Sequence, residues 1–177
     1  MAQQMRATLP WGSEPGIWVL DSAHSTFSFR VKHFWGLMTV KGQFTDVEGN
    51  ATVDTAGAVA VSIRIDATTI DTKMKQRDKH LRSADFFHVD EHPSTTFVSR
   101  EIVPQGADRL KVKGDLTAAG QIVALDFEAG VGMSGGRITV DAEAPVNRKA
   151  LGMTWSPLGM AAPIAVLVVH AEFIAKS

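Results

Sequence analysis

TIDTKMKQRDKHLRSADFF, running from Thr69 to Phe87, is the stretch on which the reading of the fold turns. On either side of it apolar and polar residues alternate with period 2, the pattern of strands that bury one face. Within it the period lengthens. Ile70, Met74 and Leu81 stand at i, i+4 and i+11, which at about 100° per residue puts them on one helical face. The spacing predicts one main helix over about 70–83, with Thr69 or Asp71 as its N-cap. Arg77 falls at i+7, inside that apolar stripe, with Asp78 beside it. A guanidinium in such a place needs a carboxylate, a backbone carbonyl or an anionic ligand, because an unpaired buried charge is very costly. Two roles are open. With Asp78, Arg82 and Asp85 it fixes the helix to the rest of the protein, or it meets the polar head of a ligand. The first role predicts that Arg77 points inward and is paired with a carboxylate such as Asp78 or with a backbone carbonyl.

Outward from the helix the chain reads as strands. On its N-terminal side these are Ile17–Leu20, Ser25–His33, Leu37–Thr45, Val47–Val53 and Ala58–Asp66. On its C-terminal side they are Thr95–Val103, Arg109–Thr117, Gln121–Val131, Arg137–Ala144 and Ile164–Ala175. Phe27, Phe29, Val31 and His33 share one parity, and Val59, Val61, Ile63 and Ile65 another such apolar face. Short Gly-containing links make successive strands antiparallel, since parallel pairs need long crossovers. Alternation alone fits a sandwich as well as a barrel. A single sheet this long tends to close on itself, which favours a mainly all-β, extended antiparallel eight-stranded β-barrel with the helix packed at or in it. Residues 1–15, with Pro10, Gly12 and Pro15, read as a flexible arm, and residues 16–177 as one domain.

Composition narrows the chemistry. The 177 residues carry a formal net charge of −1, which gives no electrostatic reason to expect nucleic acid or an anionic membrane surface as a partner. There is no cysteine, so disulfides, thiolate catalysis and cysteine-bearing metal sites are excluded together. No run of apolar residues reaches the length of a membrane span or a signal peptide, and a cytoplasmic location is the expectation. Nucleophile, phosphate-loop and dinucleotide motifs are missing. His88 and His92 stand four apart around Asp90 and Glu91, but Val89 and Pro93 point to turn or extended backbone rather than a zinc-binding helix. The expectation is therefore no metal, no cofactor and no catalytic residue.

Candidate ligand contacts are aromatic and aliphatic side chains of inward parity, together with the polar groups near the strand ends. They are Phe27, Phe29, Trp35, Met38, Phe44, Ile63, Ile65, Leu81, Phe86, Phe87, Phe97, Phe127 and Trp155, with His33, Arg77 and Arg148 as head-group contacts. Each of the aromatics has a second reading as core filler. A barrel of eight strands has an interior that side chains nearly fill or that holds one small or elongated ligand.

Several segments together resemble the YceI-like family, the polyisoprenoid-binding, lipocalin-like barrels. They are Trp18-Val19-Leu20-Asp21 with His24-Ser25, Phe29-Arg30-Val31-Lys32-His33, Val40-x-Gly42-x-Phe44, and the run from Arg77 to Phe87. Pro93-x-x-x-Phe97-x-Ser99, Gly114-Asp115-Leu116-Thr117 and Asn147-Arg148 with Gly152 complete the set, in the family's order, over about residues 16 to 175. The resemblance implies a lipocalin-like barrel closed or plugged by a helix, whose apolar interior holds an isoprenoid lipid or a quinone-like amphiphile as ligand. It implies a binding or carrier protein in storage, transport or stress response, not an enzyme. Two other uses of the same barrel stand beside it. One is acid–base or metal-assisted chemistry with His24, His33, Asp78 or His80, and the other is a filled barrel acting as an interaction module, as a homodimer through a strand edge. After Asn147-Arg148 this chain has Lys149-Ala150-Leu151-Gly152, and before the last strand Ala161-Ala162-Pro163-Ile164, where the family has acidic turns.

Overall fold

The computed structural model describes residues 15–177. The expected arm over residues 1–15 therefore lies, but for Pro15, outside the described residues.

Eleven strands form one antiparallel sheet: β1 (Gly16–Leu20), β2 (Thr26–His33), β3 (Met38–Phe44), β4 (Val47–Val53), β5 (Val59–Asp66), β6 (Ile70–Asp71), β7 (Ser94–Pro104), β8 (Arg109–Ala118), β9 (Gln121–Ser134), β10 (Arg137–Asn147) and β11 (Ile164–Ala175). Three pairs of them are single long staves interrupted once. A 3-10 turn at Ser22–His24 separates β1 from β2, residues 45–46 separate β3 from β4, and a 3-10 turn at Ala67–Thr69 separates β5 from β6. The first two staves pair along both halves, β1 with β4 and β2 with β3, and β5/β6 continues the pairing on β4 and β3. The order then runs through β7, β8, β9 and β10 to β11, which pairs back onto β2 and β1. Eight staves thus close a barrel in which nearly every strand edge is paired; among the described residues Met38–Gly42 of β3 pair with β2 alone.

Closure settles the choice between barrel and sandwich, and the strand boundaries expected from alternation differ from the observed ones by at most three residues. The helix is the exception. Its regular part, α1, is only Lys75–Arg82. Ile70 is not helical: it is fully buried and pairs with Phe44 as part of β6. Met74, expected on the apolar face, is the exposed N-cap and makes no side-chain cap bond, so neither Thr69 nor Asp71 caps the helix. The reason lies in Thr72. Its backbone N–H and its hydroxyl both donate to Asp78 Oδ1, and Asp71 accepts from the Lys73 N–H, so this segment is held in a turn before the helix begins.

The staves place every connection at one end or the other. At the lower end are the turns over residues 54–58, 105–108 and 135–136, and both ends of the described chain. At the upper end are the β2–β3 tip over residues 34–37, α1 with the segment to Pro93, the Ala119–Gly120 turn, and the long loop over residues 148–163. Two glycines thin the wall where phenylalanines lie against it. A Cβ on Gly42 would come within 2.5 Å of the Phe29 ring, and one on Gly114 would collide with Phe97 and the Val98 carbonyl. Those clashes give a packing reason for the glycines in the Val40–Phe44 and Gly114–Thr117 motifs.

Candidate ligand-binding site

Alternation along the staves turns one row of apolar side chains inward from each strand, and they do not meet at the axis. Two adjoining chambers remain. The lower, about 150 Å³, is lined by Trp18, Phe27, Val61, Ile63, Val112, Phe127, Val140, Phe173 and their neighbours, and no polar side chain contributes to its wall. The upper, about 570 Å³, lies between Phe29, Val31, Phe44, Leu81, Phe86, Phe87, Val146 and Met153. Ile65, Leu116 and Leu167 belong to both walls, so the chambers meet at that level. Their volumes fall in the range of small-molecule sites for the upper chamber and below it for the lower.

Polar groups appear only in the upper chamber: His33, Gln76, Arg77, His80, Thr95 and Arg148. Arg148 is 5% exposed. Its guanidinium donates to the carbonyls of Ala162, Met153, Trp155 and Ala161, four backbone acceptors from the loop it begins, and no carboxylate joins them. Burial lowers its pKa from the ordinary arginine value. The residues that replace the family's acidic turn, Ala161 and Ala162, supply two of those carbonyls, so the loop is wound around the arginine.

Arg77 is half-buried on α1. It donates through Nε to the Thr72 hydroxyl and through a terminal N–H to the Thr72 carbonyl, at 2.8 and 2.9 Å. Asp78, 7% exposed, reaches Arg77 only through that shared hydroxyl. The expected inward pairing is thus observed with a carbonyl, and the direct partnership with Asp78 is replaced by a bridge through Thr72. Arg82 repeats the device one turn on, donating to the carbonyls of Thr68 and Ile70. Asp85, expected beside these arginines, pairs with His80 Nε2 instead, at 2.8 Å. Both arginines therefore tie α1 to the upper end of the β5/β6 stave. His80 in turn lies edge-on to Trp155, with centroids 4.4 Å apart, and to Phe86 at 5.2 Å. This cluster joins the helix to the loop over residues 148–163 and makes a cap over part of the upper chamber.

Fifteen of the sixteen side chains expected at a ligand line one chamber or the other. Phe27, Ile63, Phe97 and Phe127 belong to the lower, Ile65 to both, and Phe29, His33, Met38, Phe44, Arg77, Leu81, Phe86, Phe87, Arg148 and Trp155 to the upper. Trp35 is the exception. It lines neither chamber and is 68% exposed, because the β2–β3 tip carries it past the strand ends at a backbone φ of 53°.

Thr95 escaped sequence reasoning. It is 5% exposed at the start of β7, lines the upper chamber, and its hydroxyl finds no hydrogen-bond partner among the described residues. Its inward parity, shared with Phe97, was the available signal. His88, Glu91 and His92 bring their donor atoms within 4.8 Å of one another on a turn, as Pro93 and Val89 had suggested, and none of the three lines a chamber. His24 lies in the turn between β1 and β2, paired with Asp21 at 2.9 Å, a whole strand away from His33.

With this geometry in view, the comparison with known proteins is direct. The family model described as the YceI-like domain matches residues 18–173. The chain belongs to the YceI-like family. A curated relative, a UPF0312 protein of Vibrio cholerae, is 36% identical over 118 residues, which is 64% of this chain and 62% of that protein. The chain thus matches less than two thirds of that relative's length. Among solved structures, Burkholderia cenocepacia BcnA superposes on this YceI-like barrel with a TM-score of 0.79 at 24% identity, over 86% of this chain and 98% of the other. A polyisoprenoid binding domain from Saccharophagus degradans, implicated in plant cell wall breakdown, reaches 0.75 at 16% identity, over 92% and 100%. Both likenesses establish a shared fold.

Proposed function

We propose that this YceI-like barrel is a binding or carrier protein that holds one long apolar chain, an isoprenoid lipid or a quinone-like amphiphile, along its axis. The observation that carries this reading is the division of the interior. A wholly apolar chamber lies behind a larger one that has polar groups on one part of its wall. Such a shape suits a molecule with a hydrocarbon tail and a small polar head. The polyisoprenoid-binding neighbour supports the same ligand class.

The energetics agree. Each buried methylene contributes about 0.8 kcal/mol, so roughly fifteen buried carbons supply about 12 kcal/mol. That is of the order of the cost of association, about 4–15 kcal/mol. Affinity comes from the tail, and the polar groups near the mouth select the head.

Holding rather than chemistry is the reading because the cationic and imidazole groups at the upper chamber are engaged in building it. Arg77 and Arg148 are bound to carbonyls, and His80 is bound to Asp85 and packed on Trp155. His33 is the one imidazole on that wall without such a hydrogen bond among the described residues.

Native mass spectrometry of the purified protein, with solvent extraction of whatever it carries, tests the reading. A bound long-chain isoprenoid or quinone is the expected result. A protein that stays lipid-free, and takes up no isoprenoid alcohol when one is offered, contradicts it.

A further inference from the structure

The two ends of the barrel differ in what their loops show to solvent. The lower turns are Asp54-Thr55-Ala56-Gly57-Ala58, Gln105-Gly106-Ala107-Asp108 and Gly135-Gly136, all small or polar. The upper end carries Trp35, Leu37 and Leu158 at 68, 86 and 85% exposure, with Met38, Met74 and Ile164 also exposed beside them. Other exposed large apolar residues are spread over the strands: Ile122 at the upper start of β9, Val98 and Val103 on β7, and Ile17, Met133 and Ile174 toward the lower ends of β1, β9 and β11. Single ones are ordinary; a group at one end is not.

This group is built as one surface. The Trp35 N–H donates to the Met160 carbonyl, and the Ala162 N–H to the Lys32 carbonyl, so the β2–β3 tip and the loop over residues 148–163 are held side by side. Trp35 and Leu158 stand at φ 53° and 52°, left-handed backbone that a bulky residue rarely adopts. Met38, Met74 and Phe34 belong at once to this surface and to the wall of the upper chamber, so the apolar lining runs out continuously through the mouth.

Charge completes the picture. Lys32, Lys75, Lys79 and Lys149 are exposed on the segments at this end. Among the described residues the lysines in ion pairs are Lys73, Lys111 and Lys113, and none of these four. The acidic groups nearest these lysines are engaged: Asp71 holds Lys73, Asp78 is buried on Thr72 and Asp85 holds His80. Asp90 and Glu91 belong to the same end but lie on the segment leading into β7, three staves round the barrel from β2.

We propose that the upper end docks on an anionic lipid bilayer. Trp35, Leu37 and Leu158 enter the interface, and Lys32, Lys75, Lys79 and Lys149 face the headgroups. Tryptophan favours the headgroup level, and lysines near an anionic surface are each attracted to it. A second copy of the chain fits this surface less well, because a two-fold contact would set the lysines against themselves. The proposal extends the lipid-holding reading by delivering the mouth of the cavity to the place where such lipids reside. Its observations are those of the outer surface and stand apart from what the cavity holds.

Flotation with vesicles tests it. The full chain is mixed with phosphatidylcholine vesicles, and with vesicles that also contain phosphatidylglycerol, at low and high salt. Binding to the anionic vesicles, weakened by salt, is expected. A Trp35→Ser, Leu37→Ser, Leu158→Ser variant should lose at least about tenfold in binding. A variant with the four lysines changed to Gln should lose about as much at low salt. Both variants change exposed side chains, and native mass spectrometry should show them carrying the same cargo as the parent; that separates failure of docking from failure of the lipid-holding reading. Absence of binding to either vesicle, or binding that the apolar variant leaves unchanged, overturns the proposal. So does sedimentation showing a dimer that the apolar variant dissociates, which would make a second copy the occupant.

Discussion

The lower and upper halves of this barrel are made from the same staves and solve opposite problems. In the lower half, alternating side chains from every strand nearly fill the interior and leave a dry space of about 150 Å³. Charged groups there are on the outside, as in the Arg137 contacts with Asp21 and Glu172. In the upper half the interior is left open to about 570 Å³, and charge is brought inward to hold the opening. Arg148 organises the loop and Arg77, Arg82 and Asp78 dock the helix, nearly all through backbone groups. A strand pattern can close a barrel by itself, but keeping one end hollow requires polar struts that apolar packing would otherwise replace.

That contrast implies a ranked set of outcomes. The largest effect belongs to Arg148→Ala. It leaves four carbonyls, one buried and three part-buried, without a donor and should destabilise the protein by about 3–5 kcal/mol in urea unfolding. Removing the half-buried Arg137, which lies on the outer face at the other end, should shift the midpoint less. Equal losses from the two would erase the distinction between inward struts and outward pairs. Asp78→Ala comes next, at about 2–3 kcal/mol, because the Thr72 N–H and hydroxyl lose a charged acceptor and the turn before α1 loosens. Hydrogen exchange should show the loss centred on residues 70–82; uniform loss across the lower strands would contradict that placement.

Thr95→Val should act in the opposite direction. Replacing a buried hydroxyl that has no protein partner by a methyl of similar shape should stabilise the ligand-free barrel by up to about 1 kcal/mol. Loss of stability would mean that the hydroxyl is satisfied within the protein. The smallest effect is electrostatic and lies on the outer surface. His170 is held between Asp141 and Glu172, and the hydrogen bond to Asp141, more than that to Glu172, raises its pKa. The folded state therefore favours the protonated ring. Its stabilisation is complete below the unfolded histidine value near 6.5 and is lost as pH rises through the elevated folded value. The difference in melting temperature between the parent and His170→Gln should accordingly shrink from pH 6 to pH 8.5. A difference that grows over that range would reverse the assigned sign.

Much of the architecture was legible because β alternation is a local signal. Val47–Val53 and Ile164–Ala175 were read with the bounds the structure shows, and inward parity alone places Phe27, Ile63 and Phe127 on the cavity wall. Where the reading failed, a long-range contact overrode a local period. Ile70 fits a helical stripe with Met74 and Leu81, but the ladder to Phe44 claims it for a strand. Asp78 and Arg77 look like an adjacent ion pair, but each finds Thr72 first. Trp35 has the aromatic character of a cavity residue and sits on a turn beyond the mouth. Arg148 was expected to reach the chamber, and it does, yet its four carbonyl partners lie 5 to 14 residues ahead and follow no periodic pattern.

On the proposed reading the two adjoining chambers act as one site, the lower taking a tail and the upper keeping the head. The most direct test is the affinity of isoprenoid alcohols of increasing chain length for the parent and for Ala142→Phe, which fills the lower chamber from its wall. Affinity for the parent should rise with each added unit until the tail fills both chambers. In Ala142→Phe it should stop rising at a shorter chain, with short chains bound as before. Affinity that ignores chain length, or a length limit that the substitution leaves in place, would contradict the account.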